Sequence, residues 1–310
     1  MAASIKNTSG EPVHAKPFLK WAGSKRQLLN QFINLYPPQL KAGTIKNYYE
    51  PFLGSGAVFF DVSKRYKVEN VFLSDVNADL ILTYKIVQSH VSSLIEVLLK
   101  HQKKYLALNK TERLKYFYDQ RALFNIQPND FDTEKKSGKA ITRAARLIFL
   151  NRTCFNGLFR VNSKGAFNTP AGQYAKPAIC DEVNLKAVSG LLQKANIKKS
   201  NYNDELKDIK PASFVYFDPP YRPLSRTSNF TAYSKSAFTD EQQARLAQLF
   251  RDLNEKGAAV MLSNSETNDC FFDHLYKDFH IVRVPAKRLI NSDASKRGLV
   301  NEIVVTNYPV

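Results

Sequence analysis

The sequence predicts an α/β fold: a mainly parallel sheet, interrupted along the chain by an inserted helical and basic stretch. Three observations predict it. Residues 48–87 run strand, glycine turn, helix, strand, helix, the order that gives parallel pairing and puts ligands at the strands' carboxyl ends. The same order resumes at Phe214 and continues to Thr306. Between them, residues 91–199 are helix-rich, basic and irregular. The expected organisation is therefore a disordered lead over 1–15, one domain assembled from 16–88 and 200–310, and an insert over 89–199.

Each element has a local reason. Residues 18–35 lead through Phe18-Leu19-Lys20-Trp21-Ala22-Gly23-Ser24-Lys25 into a helical pattern. A strand is expected at 48–50, a turn at Gly54 and Gly56, and a helix carrying Val58, Phe59 and Val62. A second strand over 71–74 ends at Asp75 and hands over to a helix through 77–87. In the insert, a polar break over 128–139 reads as a loop, and 141–150 as a helix placing Arg143 and Arg146 on one side. Residues 157–161 and 166–168 flank Asn162-Ser163-Lys164-Gly165, a hairpin signature with glycine in the turn. A helix over 240–255 opens on Thr239 with Gln242, the spacing of a capping box, and stops at Gly257. Its Leu246, Leu249, Phe250 and Leu253 form one apolar stripe. Strands follow at 258–262, near 280–284 and at 300–306, and Ser295-Lys296-Arg297-Gly298 reads as a surface turn.

Composition narrows the function. With 310 residues, 44% of them hydrophobic, the chain can bury a full core. No apolar run approaches the roughly 18 residues that a membrane span needs. Three widely spaced cysteines without a CxxC support neither a disulfide framework nor a cysteine zinc site, which fits a reducing cytoplasm. Forty-five Lys and Arg against 28 Asp and Glu give a net charge of +17, an excess that favours a polyanionic partner through phosphate contacts. Aromatics at 12% can supply stacking surfaces for bases.

The most telling stretch is Asp218-Pro219-Pro220-Tyr221 after the apolar run Phe214-Val215-Tyr216-Phe217. The prolines lack N–H donors and stop the strand, leaving a carboxylate, a carbonyl and an aromatic face together at its end. Those groups can grip an exocyclic amine on a planar base, although Asp-Pro-Pro also makes ordinary surface turns. Phe52-Leu53-Gly54-Ser55-Gly56 lies where the first strand meets its helix, so a ligand can approach the backbone and the helix N–H groups. Asp75, nineteen residues after Gly56, stands where an acid reaches ribose hydroxyls. Phe59 replaces the third glycine of the dinucleotide fingerprint, which favours a nucleoside ligand without a pyrophosphate. Trp21, the sole tryptophan, reads first as a core aromatic.

Taken in order, Phe18 to Lys25, Glu50-Pro51-Phe52-Leu53-Gly54-Ser55-Gly56, Asp75-Val76-Asn77 and Asp218-Pro219-Pro220-Tyr221 closely resemble the motifs of Dam-type (D12 class, alpha group) DNA adenine-N6 methyltransferases. The resemblance runs from about Lys16 to the C-terminus and implies a Rossmann-like methyltransferase sheet with S-adenosylmethionine as cofactor. It assigns Trp21, Lys25, Glu50, Asp75 and Asp218 to cofactor contacts, beside Phe52 and the glycine turn of Gly54 and Gly56. Asp218, Pro219 and Tyr221 are then the catalytic grip on adenine. Leu150 to Arg160 with Gly165 to Pro170 is similar to the DNA-reading hairpin of enzymes acting at GATC. By that resemblance Lys20 and Arg160 contact bases, Leu158 and Pro170 pack on thymine methyls, and Phe155, with Asn156 beside it, inserts next to a flipped adenine. Ser24 replaces a more usual glycine and Phe155 a common tyrosine; the first stays small, and the second keeps stacking but loses a hydroxyl.

The expectation is methyl transfer to adenine N6 in double-stranded DNA, without metal, by a cytoplasmic monomer working alone or beside a restriction endonuclease. Cytosine N4 or an RNA adenine offers a similar amine, and a non-catalytic DNA-binding protein could keep this fold. The hairpin and motif order favour DNA adenine. The intact acid and tyrosine favour an enzyme.

Overall fold

A computed structural model describes residues 13–126, 137–222, 238–267, 269–287 and 299–310. Most of the expected lead, most of the polar break at 128–139 and the expected turn at Ser295 to Gly298 lie outside the described residues. Among the described residues, seven strands form one mixed sheet: β1 Asn47–Glu50, β2 Asn70–Asp75, β3 Ala195–Lys199, β4 Ser213–Phe217, β5 Ala259–Ser265, β6 His280–Lys287 and β7 Leu299–Thr306. The spatial order is β3-β2-β1-β4-β5-β7-β6, with β1 to β5 parallel and β7 antiparallel to both neighbours. The α/β sheet is as the strand and helix pattern predicts, and it is consistent with the methyltransferase sheet that the resemblance implies.

The order matters because of where it reverses. From β1 the chain moves outward through β2 to β3, then returns to place β4 on β1's other side. Loops leaving β1 and β4 therefore diverge, and a crevice opens at their carboxyl ends. Every residue of β1 and β4 is buried, as central parallel strands covered on both faces are. Asp218 follows β4 directly, and Glu50 ends β1.

The helices are α1 Leu29–Leu35, α2 Pro38–Lys41, α3 Ala57–Arg65, α4 Ala78–Ser89, α5 Val91–Ala107, α6 Lys110–Ile126, α7 Gly138–Thr153, α8 Glu182–Leu192, α9 Tyr202–Glu205, α10 Asp240–Glu255 and α11 Phe271–Leu275. The capping box at Thr239 and Gln242 is present, and α10 buries Leu246, Phe250 and Leu253 against the sheet. Burial of each such side chain stabilises the fold by about 1.5–3 kcal/mol. Asn77 caps α4, its side chain accepting from Leu80 N–H at 3.0 Å.

Two findings differ from the sequence pattern. β3, within the expected insert range, pairs with β2 as an edge strand. Its Ala-Asn-Ile-Lys-Lys offers two buried residues, Ala195 and Ile197, too short an alternation to read as a strand. Its exposed lysines suit an edge, where they discourage further pairing. The expected hairpin forms as two isolated antiparallel bridges, Cys154 with Ala171 and Val161 with Phe167, rather than as continuous strands. Its turn is as expected: Gly165 N–H donates to Asn162 O at 2.8 Å, and Asn162 N–H to Ala166 O at 2.9 Å.

Helix α7 joins the insert to the sheet layer by packing on α4, α5 and α6. Arg143, 1% exposed, donates from Nε to Asp79 Oδ1 of α4 at 2.5 Å and from Nη1 to Phe124 O of α6 at 2.9 Å. It is a buried strut. Removing one partner of such a pair costs about 3–5 kcal/mol. Arg146, on the same helix, donates to Gln120 Oε1 at 3.2 Å.

Candidate active site

Three loops meet at the crevice. After β1, Gly54 and Gly56 adopt φ of +47° and +67°, where a side chain would be strained. A Cβ on Gly54 would stand 3.0 Å from Trp21 Cδ1, and one on Gly56 2.9 Å from the Tyr84 hydroxyl. The turn thus approaches other groups as closely as backbone alone permits, and it delivers the N-terminus of α3 to the crevice. Asp75, ending β2, braces it: Oδ2 accepts from Gly54 N–H at 3.1 Å and Oδ1 from Asn77 N–H at 2.9 Å. Those bonds leave carboxylate lone pairs for a further donor.

After β4, Asp218 and Tyr221 share a charged cluster with Lys25 and Glu302. Lys25, 2% exposed, donates from Nζ to Asp218 Oδ1 at 2.5 Å, to Gly23 O at 3.0 Å and to the Tyr221 hydroxyl at 3.3 Å. Its Nζ lies 3.7 Å from Glu302 Oε2. The Tyr221 hydroxyl donates to Glu302 Oε1 at 2.5 Å, while its ring remains exposed. The oxygen end is therefore pinned and the ring is left as a face for stacking. Pro219 is buried, and the Pro220 carbonyl accepts from buried Gln243 at 3.4 Å, which fixes the turn.

The electrostatics follow from burial. Burial opposes the charge on Lys25, but Asp218, Tyr221 and Glu302 outweigh it and raise its pKa above lysine's ordinary value. Burial pushes Asp218 up to about 6, against the pull of Lys25. It pushes Glu50 up to about 8, although the Tyr48 hydroxyl donates to Glu50 Oε2 at 2.6 Å. Asp75 is also raised by burial, with the backbone N–H groups of Asn77, Gly54 and Val76 opposing. Around Lys25 two carboxyls, Asp218 and Glu302, thus face one ammonium, and Glu302 Oε2 has no hydrogen-bond donor. Such a pocket favours a cationic ligand.

The remaining expected residues fall in two places. Trp21 is only partly buried, its ring stacked on Phe159 at 5.4 Å and lying against Gly54, so it is not a plain core aromatic. Phe52 stacks on Tyr202 at 5.2 Å beside the crevice. Lys20, Phe155, Asn156, Leu158, Arg160 and Pro170 gather around the bridged loop. Phe155, Asn156, Arg160 and Pro170 are exposed there, while Lys20 and Leu158 are partly buried. Lys20 Nζ sits 4.4 Å from the centre of the Tyr174 ring, and Arg160 Nε donates to Asn168 Oδ1 at 2.8 Å. Glu302 and Ser263 were not anticipated. Ser263 bonds the Tyr216 hydroxyl at 2.7 Å, and it helps to hold the Asp218 pKa down. The signal for Glu302 was a lone acid directly before the apolar run from Ile303 to Val305, where a buried charge needs a partner.

Comparison with known proteins agrees with this geometry. The family model described as D12 class N6 adenine-specific DNA methyltransferase matches residues 21–290. The chain is 46% identical to the type II methyltransferase M.MjaIII of Methanocaldococcus jannaschii, covering 96% of this chain and 100% of that protein. It is 39% identical to the type II methyltransferase M1.LlaDCHI of Lactococcus lactis subsp. cremoris, covering 96% of each. With the DNA adenine methylase of Escherichia coli K12 it shares 35% identity over 95% of this chain and 96% of the other. A family model matching residues 21–290, and relatives up to 46% identical matched along nearly the whole chain, place this protein in the D12 class of N6 adenine-specific DNA methyltransferases.

Proposed function

We propose that this adenine-N6 methyltransferase takes its methyl group from S-adenosylmethionine and acts on an adenine rotated out of a duplex at GATC or a related site. The observation that carries the reading is the cluster at the sheet's switch point, where the Asp218–Tyr221 grip and the Asp75-braced glycine turn face one acid-rich crevice. When bound, the cofactor's sulfonium supplies an already activated methyl group. Asp75 would hold its ribose hydroxyls, with Trp21, Phe52 and the turn at Gly54 and Gly56 around the nucleoside, and Glu50 and Lys25 nearby.

Adenine N6 is a poor nucleophile because its lone pair is delocalised into the ring. Asp218 and the Pro219 carbonyl accept its two N–H bonds, favouring a pyramidal nitrogen, and Tyr221 stacks on the base. Positioning supplies most of the rate, and no covalent nucleophile is required. A base inside the stack cannot reach a grip of this kind, which supports rotation out of the duplex. The GATC reading rests on the loop around Leu158, Arg160 and Pro170 and its similarity to hairpins of enzymes acting there. Two relatives bear the name type II methyltransferase, which favours service beside a restriction endonuclease. We read the insert as the target-recognition part, the enzyme as a monomer, and its setting as the cytoplasm.

The test uses labelled cofactor and duplexes differing at one adenine. Asp218→Asn keeps the side chain's shape but replaces an acceptor by a donor. Methyl transfer should fall by about 10²–10³, as when one preorganised hydrogen-bond partner is lost at a reacting centre. DNA retention on a filter should be unchanged. Full transfer by the variant would overturn the assignment of Asp218.

A further inference from the structure

Asn151, in the last turn of α7, is 1% exposed and clamps both backbone polar groups of Lys20 in a distant segment. Its Oδ1 accepts from Lys20 N–H at 2.8 Å, and its Nδ2 donates to Lys20 O at 2.7 Å and to Gly157 O at 2.9 Å. Both amide hydrogens are used. Gly157 closes on Lys20 from the other side: its φ is +66°, and a Cβ there would stand 2.4 Å from Lys20 Cδ and 2.5 Å from Lys20 Cβ. Lys20 is thus held by its peptide and by its stem at once. Arg152, the next residue of α7, donates to Phe18 O at 2.6 Å and extends the grip.

What makes this clamp more than a tie is the residue after Lys20. The Trp21 ring stacks on Phe159 in the bridged loop and also lies against the turn at Gly54. Residues 18–21 therefore touch the loop proposed to read bases and the turn proposed to hold the nucleoside. A ligand ordering one must act on the other through this short segment, provided the segment is held rigidly.

The geometry points to Asn151 as a positioning residue that couples cofactor binding to base readout by locking Lys20 and Trp21 between the two sites. It rests on the reading of Lys20 as a base contact and of Gly54–Gly56 as the cofactor turn. Coupling of this kind is reciprocal: whatever factor the cofactor adds to affinity for the correct duplex, that duplex adds to affinity for the cofactor.

The experiment measures dissociation constants by fluorescence anisotropy for the duplex that the wild type methylates best and for a single-base variant of it. Each is measured with and without saturating S-adenosylhomocysteine, which cannot transfer methyl. In the wild type the ligand should raise discrimination between the duplexes about fivefold or more, within the usual range of allosteric coupling. Asn151→Ser, too short to bridge both Lys20 peptide groups, and Gly157→Ala, which pushes Lys20 from the opposite side, should each bring that factor below about twofold. Both should still melt cooperatively. Ile148→Val, which removes one methylene from the same helix, should keep the wild-type factor. Wild-type coupling in both clamp variants, or equal loss in Ile148→Val, would overturn the role of Asn151. Absence of methylation by the wild type on any duplex would instead overturn the function on which it rests.

Discussion

At the scale of single residues, Glu302 shows how one buried acid sets two properties of the site. It accepts from the Tyr221 hydroxyl, which fixes the ring, and it faces Lys25 and Asp218 as a third charge. On the proposed role of Asp218, the ionised carboxylate is the stronger acceptor for an adenine N–H, so kcat/KM should fall as pH drops through about 6. Burial raises the Asp218 pKa most, and the like charge of Glu302 adds to that rise. Glu302→Gln removes the added charge, so the Asp218 pKa should fall and the acid limb of the profile should move to lower pH. The same change leaves Lys25 bound to Asp218 without competition, which ties up the acceptor. The plateau rate should drop about tenfold, the equivalent of one hydrogen bond to a charged group. A pH–rate profile between about 5 and 8 checks both effects. An acid limb that stays in place or moves upward would show that Glu302 does not act on Asp218.

At the scale of elements, the bridged loop from Cys154 to Ala171 presents Arg160 with its Nε already held by Asn168 at 2.8 Å. A guanidinium oriented in this way loses little freedom on meeting a base edge. Arg160→Ala should cost about 1–3 kcal/mol of discrimination at one base pair and leave non-specific binding nearly unchanged. Rates on duplexes substituted one base pair at a time would show it; an equal loss on all of them would make Arg160 a phosphate contact. How far this architecture could be read in advance depends on the range of the interactions. Helix α10 and strand β4 were legible because caps, stripes and apolar runs are written within a dozen residues. The hairpin's turn was legible for the same reason, but its reduction to isolated bridges was not. β3 was hidden because its partner fixes it and its own five residues do not. Glu302 and Asn151 act on Tyr221 and Lys20, which lie 81 and 131 positions away, so no local pattern marks those pairings. Trp21 packs on the edge of the core, and its neighbours there, Phe159 and Gly54, come from two other segments, so no local pattern marks its place.

At the scale of the whole molecule, charge is sorted by depth. The chain carries +17 overall, yet the crevice at the sheet's switch point sets Asp218 and Glu302 against Lys25, with Glu50 acted on by the charges of Asp218 and Asp75. A polyanion is thereby attracted to the surface, while a cation is favoured in the crevice. The two attractions should respond differently to salt. Exposed charges more than a Debye length apart are screened at ordinary ionic strength, whereas buried groups are screened much less. If the surface contacts about six to ten phosphates, DNA affinity should fall by about 10³–10⁵ between 50 and 200 mM salt. Because phosphate contacts carry no sequence information directly, the ratio between a methylated duplex and its single-base variant should stay nearly constant over that range. Affinity for the proposed cofactor S-adenosylmethionine, measured by calorimetry without DNA, should change less than about twofold, since the carboxyls proposed to hold it lie in the crevice and not on the open surface. A cofactor affinity that fell as steeply as the DNA affinity would mean that the same exposed charges serve both ligands, and the sorting by depth would have no consequence for binding.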